Sequence, residues 1–363
     1  MLQAAPRLLI TLRREQDGEA VVASPWLQAL QAFHRLAWGS VLDAGDLPAL
    51  LTQPDSQVFR ADTQALPEPA RRPRPALAAG LLNKTFSAGA YQQLLDCPYQ
   101  YYAARCLRLS PPEEIRLALS RADYGARVHQ CLQAFHTDVP GLPGPFPEPL
   151  GDHNRAAAER LLNGIAAAVF AQDLADNFEH HGWLRQWQRQ IPEYLDWQQE
   201  RSLTWQVDRA EVRLEIEPEP GLRLQGQLDR IDRQAAALSV LDYKTGTVPA
   251  QAEVDAGEAV QLPVYAQLAG TDSGTVVSEA IYLALGNDGT VKTTVWLEDE
   301  ALGRLARDNG ARLVEVVGEM EAAQPLPAWG DSRTCRWCDM ALLCRRQAWE
   351  ETEESSKAGG TGQ

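Results

Sequence analysis

The stretch that most constrains this chain runs from Gly226 to Gly246 and reads GQLDRIDRQAAALSVLDYKTG. Leu222, Leu224 and Gln225-Gly226-Gln227-Leu228 alternate in polarity, as a half-buried strand does. Asp232-Arg233-Gln234 breaks the pattern, and Leu238-Ser239-Val240-Leu241 supplies a second β-prone run. Upstream, Val207, Val212, Leu214 and Ile216 are spaced for another strand. A three-strand antiparallel meander over about 205–244 accounts for all three runs. Asp242 and Lys244 lie two apart, so a strand turns both to one side. Asp229 on the neighbouring strand can face the same way.

Two carboxylates and an ammonium in one place have a chemical meaning. A hard divalent cation prefers oxygen ligands and keeps several waters. Such an ion lowers the pKa of bound water and offsets charge building on phosphate oxygens. A lysine beside it can orient the attacking water and stabilise developing negative charge. An isolated D-x-K triplet is ordinarily just a charged hairpin surface. Here it stands within a longer order of motifs.

Gly226-Gln227-Leu228-Asp229-Arg230-Ile231-Asp232 is followed by Asp242-Tyr243-Lys244-Thr245-Gly246. Upstream stands Gly125-Ala126-Arg127-Val128-His129, and downstream Gln261-Leu262-Pro263-Val264-Tyr265-Ala266. In this order the four motifs resemble the PD-(D/E)XK nuclease superfamily, specifically its RecB and AddB branch. The resemblance covers roughly residues 81–346. It implies an α/β (α+β) restriction-endonuclease-like core: a mixed central sheet flanked by helices, with a helical insertion. It implies Mg2+ or Mn2+ held by His129, Asp229, Asp242 and Tyr243, with Lys244 as the catalytic lysine. Gln261 and Tyr265, one helical turn apart, then line the site and position Lys244 or the DNA strand. On residues alone, His129 and Tyr265 would read as structural packing. Glu211 opens a strand near the site, but Asp208, Glu215 and Glu217 are equally available acids.

The six cysteines carry a second signal. Cys335, Cys338 and Cys344 form C-x2-C-x5-C, a soft-metal spacing rather than a disulfide framework. A zinc ribbon ordinarily offers two C-x2-C pairs, so ligation of iron–sulfur by four thiolates fits better. Cys97, in Leu95-Asp96-Cys97-Pro98-Tyr99, is the candidate fourth ligand. The resemblance supports that choice, since related nucleases hold a [4Fe-4S] cluster with one cysteine before the core and three after it. The cluster would staple the N- and C-terminal parts of the domain. Cys106 and Cys131 read as buried small apolar residues.

The net charge of −15 excludes a protein that coats nucleic acid through a basic surface. Strand contact must then be local, at Arg105, Arg108, Arg230, Lys244 or Lys292, or be supplied by a partner. No run of about twenty apolar residues spans a membrane, and Met1–Asp17 lacks a cleavage signature. With free thiols and a cluster, these features point to the cytoplasm. There is no G-x-x-x-x-G-K-[ST] loop, so the resemblance implies a separate helicase or ATPase subunit as partner.

Along the chain, 1–65 reads as a small α/β segment resembling the end of a helicase-like body, with a strand at Leu8–Leu12 and a helix from Ser24 through Trp38. A proline-rich linker covers 66–80, the nuclease domain 81–346, and a disordered tail 347–363. Within the domain, Thr85-Phe86-Ser87 reads as the cap of one helix running to about Leu107. Residues 122–137 carry His129. Helices cover about 153–178 and 183–202, with Trp183, Trp187 and Trp197 packing inward. A helix over 258–268, strands near 276–285 and 290–297, and a helix over 299–322 complete the pattern. The function these features imply is a metal-dependent DNA exonuclease acting in break repair. The alternative is a catalytically silent scaffold of the same fold that binds DNA or a helicase.

Overall fold

The computed structural model describes residues 10, 12, 15–16, 19–42, 70–78, 80–112, 120–286 and 288–350. The chain divides into two units, Met1–Glu68 and Pro69–Gln363. In the first, β1 (Glu15–Gln16) pairs antiparallel with β2 (Glu19–Ala20), and α1 spans Pro25–Trp38. Pro25 fits the first helical turn, where its missing N–H costs nothing, and Gly39 ends the helix in the left-handed region at φ 68°. Most of the strand read at Leu8–Leu12, and the tail beyond residue 350, lie outside the described residues.

The second unit is built on a mixed sheet. Its strands are β3 (Thr85–Ser87), β4 (Gln206–Glu219), β5 (Leu222–Gln234), β6 (Ala237–Lys244), β7 (Val276–Leu285) and β8 (Val291–Glu298). The meander β4–β5–β6 is antiparallel, as the alternation predicts. β7 then runs parallel to β6 and β8 antiparallel to β7. β4 follows one edge of β5. Along the other edge, β3 pairs in parallel with Arg223–Gln225, and β6 pairs only with Arg230–Gln234. The edge of β5 between these partners carries Asp229.

Helices cover both faces. On one lie α2 (Ala88–Asp96), the short α7 (Gln251–Asp255), α8 (Gln261–Ser273) and α9 (Asp299–Glu321), whose apolar sides form one core with Leu224, Leu228 and Val240. On the other lie α4 (Arg121–His136) and the inserted pair α5 (Arg155–Asp176) and α6 (His181–Ser202). Their core includes Leu132, Leu162, Phe170 and Ile191, together with Tyr243 and Leu283 from the sheet. Trp187 is wholly buried here, and Trp183 and Trp197 pack against the same cluster. Each fully buried side chain of this size contributes roughly 1.5–3 kcal/mol, so the insertion is part of the core rather than an appendage.

Two expectations change. Thr85-Phe86-Ser87 is strand β3 and not helix, although Ser87 still caps α2 by accepting the Ala90 N–H. The helix beyond it is broken at Cys97, which is extended at φ −162°, before α3 (Pro98–Tyr101) and a π-helical turn at Tyr102–Cys106. Proline disfavours helical backbone at the residue before it and donates no hydrogen bond, so the break falls there. The described part of the proline-rich segment also belongs to the second unit. Pro73 and Pro75 carbonyls accept hydrogen bonds from Ala328 and Leu326, and Ala76 bridges Pro325.

Two glycines let helices close on the site. A Cβ on Gly226 would stand 2.8 Å from Leu268 Cδ1 and 3.0 Å from Tyr265 Cε1, so a side chain there would push the α8 side chains off β5. A Cβ on Gly125 would stand 2.9 Å from Thr245 Oγ1, where α4 crosses the end of β6.

Candidate active site

Past the Arg230–Leu241 pair, β5 and β6 leave their ladder, and a side chain takes over the bonding. Asp229 Oδ2 accepts the Tyr243 backbone N–H at 2.7 Å. The carboxylate is thereby fixed with its other oxygen facing α4. There His129 Nδ1 stands 3.4 Å from Asp229 Oδ1 and 3.4 Å from Glu211 Oε1. One ligand atom each from His129, Glu211 and Asp229 lies within 4.8 Å of the others.

His129 is oriented by its second nitrogen. Nε2 lies 3.1 Å from the Tyr243 carbonyl oxygen, a contact that requires Nε2–H as donor. The neutral ring then presents an Nδ1 lone pair to the acids, the usual arrangement of a metal-ligating histidine. Without an ion, burial would lower the imidazole pKa, but hydrogen bonds to Asp229 and Glu211 outweigh it and push it up to about 10.

Glu211 comes forward from among the four available acids. It sits on β4 at φ 49°, a left-handed conformation uncommon for a residue with a side chain. Strain of this kind gathers at functional sites, where the surroundings hold it in place. Gln227 Nε2 donates to its other oxygen, Oε2. Nothing in the amino-acid pattern distinguishes Glu211 from Asp208, Glu215 or Glu217, since the backbone reversal is a tertiary property.

Asp242 is almost wholly buried, at 2% exposure, and the charges of Asp229 and His129 both act on it. Lys244 Nζ lies 2.6 Å from Asp242 Oδ2, and Gln261 Nε2 donates to Asp242 Oδ1 at 2.7 Å. Oδ2 accepts no hydrogen bond of good geometry, so Lys244 meets it as an ion pair only. Burial and the neighbouring Asp229 charge raise the Asp242 carboxyl to about 7 against the pull of Lys244. Lys244 also donates to Gln261 Oε1 at 2.7 Å and lies 5.1 Å above the Tyr282 ring. Gln261 Nε2 contacts the Tyr265 hydroxyl at 3.1 Å, and the Tyr282 hydroxyl donates to Gln261 Oε1 at 3.3 Å. Burial raises both phenols well above their ordinary value, so they remain protonated. The expected residues are thus brought together as two adjacent groups: an acid–histidine trio, and a lysine clamp holding Asp242.

Tyr243 offers the site its backbone rather than its side chain. The hydroxyl points into a buried network, 3.3 Å from Arg230 Nη1. Arg230 itself has no exposed surface and therefore is not a strand contact. It pairs with Asp232 through Nε at 2.6 Å and Nη2 at 3.0 Å, and donates to Gln198 Oε1 at 2.6 Å. Arg201 on α6 joins Asp232 at 3.0 Å and Glu279 on β7 at 2.6 Å. This network ties the inserted helix to the strands that carry Asp229, Asp242 and the Tyr243 backbone.

Cys97 and the C-terminal thiols approach one another. A Cβ on Gly330 would meet Cys335 Sγ at 3.1 Å and Cys97 Cβ at 3.5 Å. Burial raises the Cys338 thiol, and so does the charge of Cys97, Cys335 and Cys344 around it. Cys106 and Cys131 are buried apart, in opposite cores, with burial pushing the Cys106 thiol up to about 11. No helix among the described residues is long and apolar enough to cross a membrane.

Comparison with known proteins follows the same lines. A curated relative, an uncharacterized protein from Rickettsia bellii (strain RML369-C), is 22% identical over 179 residues. That match covers 47% of this chain and only 20% of the relative, so the chain spans about a fifth of its length. Among solved structures, a candidate exonuclease from Eubacterium rectale is similar at 12% identity and TM-score 0.36, covering 74% of this chain and 92% of that one. The structure of SSO0001 is similar at 14% identity and TM-score 0.31, covering 72% and 87%. At that level of superposition neither carries an argument. The model of one family matches residues 85–345, which takes in every element of the site, and by that match the chain belongs to the PD-(D/E)XK nuclease superfamily.

Proposed function

We propose that this nuclease is a divalent-metal-dependent deoxyribonuclease of RecB/AddB type. It cuts as an exonuclease on single strands or duplex ends during double-strand-break repair, beside a helicase partner in the cytoplasm. The observation that carries the reading is the acid–histidine trio of His129, Glu211 and Asp229 next to the Asp242–Lys244 pair. Two carboxylates and an oriented imidazole suit Mg2+ or Mn2+ with waters completing the shell. Asp242 Oδ2, buried and paired at 2.6 Å with the Lys244 ammonium, is a further carboxylate oxygen that would share that charge in holding a cation. A bound ion supplies water activation and charge neutralisation at the phosphate.

The chain's own groups do the rest. Gln261 and Asp242 hold the Lys244 ammonium where it can orient a water and stabilise charge on phosphate oxygens. Tyr265 and Tyr282 stay neutral and keep the Gln261 amide in place. The Tyr243 backbone fixes Asp229 and His129 at once.

The same proposal includes a [4Fe-4S] cluster on Cys97, Cys335, Cys338 and Cys344. Four thiolates are the ligand set such a cluster takes, and the mutual influence of these thiols supports their meeting at one place. Its part is structural, since it would join α3 to the segment after α9. Release of labelled nucleotides from end-labelled DNA by the intact protein with Mg2+ tests the activity.

A further inference from the structure

In a chain of net charge −15, several arginines are neutralised by carboxylates. Arg127 pairs with Asp173, Arg209 with Asp272, Arg233 with Asp208 and Arg333 with Glu253. Arg105 and Arg108 are among the arginines that are not. Both are exposed, and among the described residues neither makes an ion pair. Arg105 donates through Nε to Gln93 Oε1 at 2.9 Å, leaving its remaining N–H groups for another acceptor. Arg108 follows the π-helical turn at φ 57°, again a left-handed conformation for a residue with a side chain.

The two arginines line one cleft of about 300 Å³ with Asn83, Thr85, Ser87 and Gln225. No acid lines it. The wall is made where β3 pairs with the start of β5, with Thr85 opposite Arg223 and Ser87 opposite Gln225. Gln225, Gln227 and Asp229 are successive alternate residues of β5, so they follow one face of the strand. Gln227 already touches Glu211 in the trio. Four residues of strand set the cleft about 13 Å from Asp229.

We propose that this cleft binds a backbone phosphate of the substrate strand, a few nucleotides from the bond that is cut. The inference rests on the nuclease reading of the Asp229 site and names a second point of contact for the same strand. Paired guanidinium donors match phosphate oxygens, and such contacts set register without reading sequence. They also explain how an acidic chain holds a polyanion: the positive charge is concentrated where the strand passes.

The test compares wild type with the Arg105→Gln, Arg108→Asn double variant and with Arg105→Lys, using a labelled single-stranded oligonucleotide. Asparagine at 108 tolerates the left-handed backbone. Cleavage with Mg2+ gives kcat and KM, and fluorescence anisotropy with Ca2+ gives binding. The double variant raises KM and weakens binding about 10-fold with kcat unchanged. Its dependence of log affinity on log salt flattens by about 0.7, and Arg105→Lys retains most of the affinity. Cleavage by wild type, with unchanged KM and salt slope in the double variant, overturns the cleft and leaves the nuclease. Binding without cleavage by wild type, lost in the double variant, upholds the cleft and removes the nuclease. A wild type that neither binds nor cuts removes both.

Discussion

Lys244 and Asp242 share one partner: the Gln261 amide accepts from the lysine at 2.7 Å and donates to the carboxylate at 2.7 Å. Gln261 opens α8, which Gly226 allows to approach the sheet. The clamp therefore depends on helix placement as well as on its own bonds. Gln261→Ala should lower kcat by about 10- to 100-fold, the cost of a misplaced catalytic group. KM for DNA should be little changed, and steady-state kinetics read both.

Metal binding should depend on Glu211 and on pH. Removing this acid as Glu211→Gln should weaken Mn2+ binding, read by calorimetry, at least about 10-fold. The sign of the pH effect follows from His129. Its folded value of about 10 lies above the ordinary 6.5, so without metal its charge stabilises the fold fully below 6.5. That contribution fades as pH rises through about 10. A metal-bound imidazole must be neutral, so binding releases a proton and strengthens as pH rises from 6.5 to 9. His129→Ala should flatten that rise, and a slope equal to wild type would count against His129 as a ligand.

Arg230 should matter for stability rather than for strand contact. Its guanidinium is buried against Asp232, Gln198 and Tyr243. Arg230→Ala leaves the buried Asp232 short of a partner, and breaking such a pair costs about 3–5 kcal/mol. Urea unfolding midpoints measure the loss. A change of the size seen for an ordinary surface position would show that the network does not hold the sheet.

Cys338→Ser should strip iron and its brown colour from anaerobically purified protein and lower the thermal midpoint. Cys106→Ser, in the other environment of a closed core, should leave iron content unchanged. Stoichiometric zinc without iron in the wild type would contradict the cluster.

Much of this was legible in the chain. The meander and the His129 helix follow from local alternation and helical spacing, and their observed bounds differ from expectation by a residue or two. The insertion was readable for the same reason, because its tryptophans recur on one helical side. What was hidden depends on contacts distant in sequence. Thr85–Ser87 becomes strand only because it pairs with Arg223–Gln225, more than a hundred residues away. Glu211 is singled out by a backbone reversal that its neighbours do not announce. Arg230 looks like a surface charge until α6 and β6 close around it. That Asp242 and Lys244 share one side was readable from their spacing, but the bond from Gln261 to Asp242 depends on where α8 lies.

The most direct test is cleavage of end-labelled DNA with Mg2+ by wild type, Asp242→Ala and Lys244→Ala, with circular dichroism to verify folding. The account predicts release of labelled nucleotides by the wild type and a loss of at least about 100-fold in each variant, the scale of removing a group that stabilises transition-state charge. Equal activity in all three proteins would contradict it.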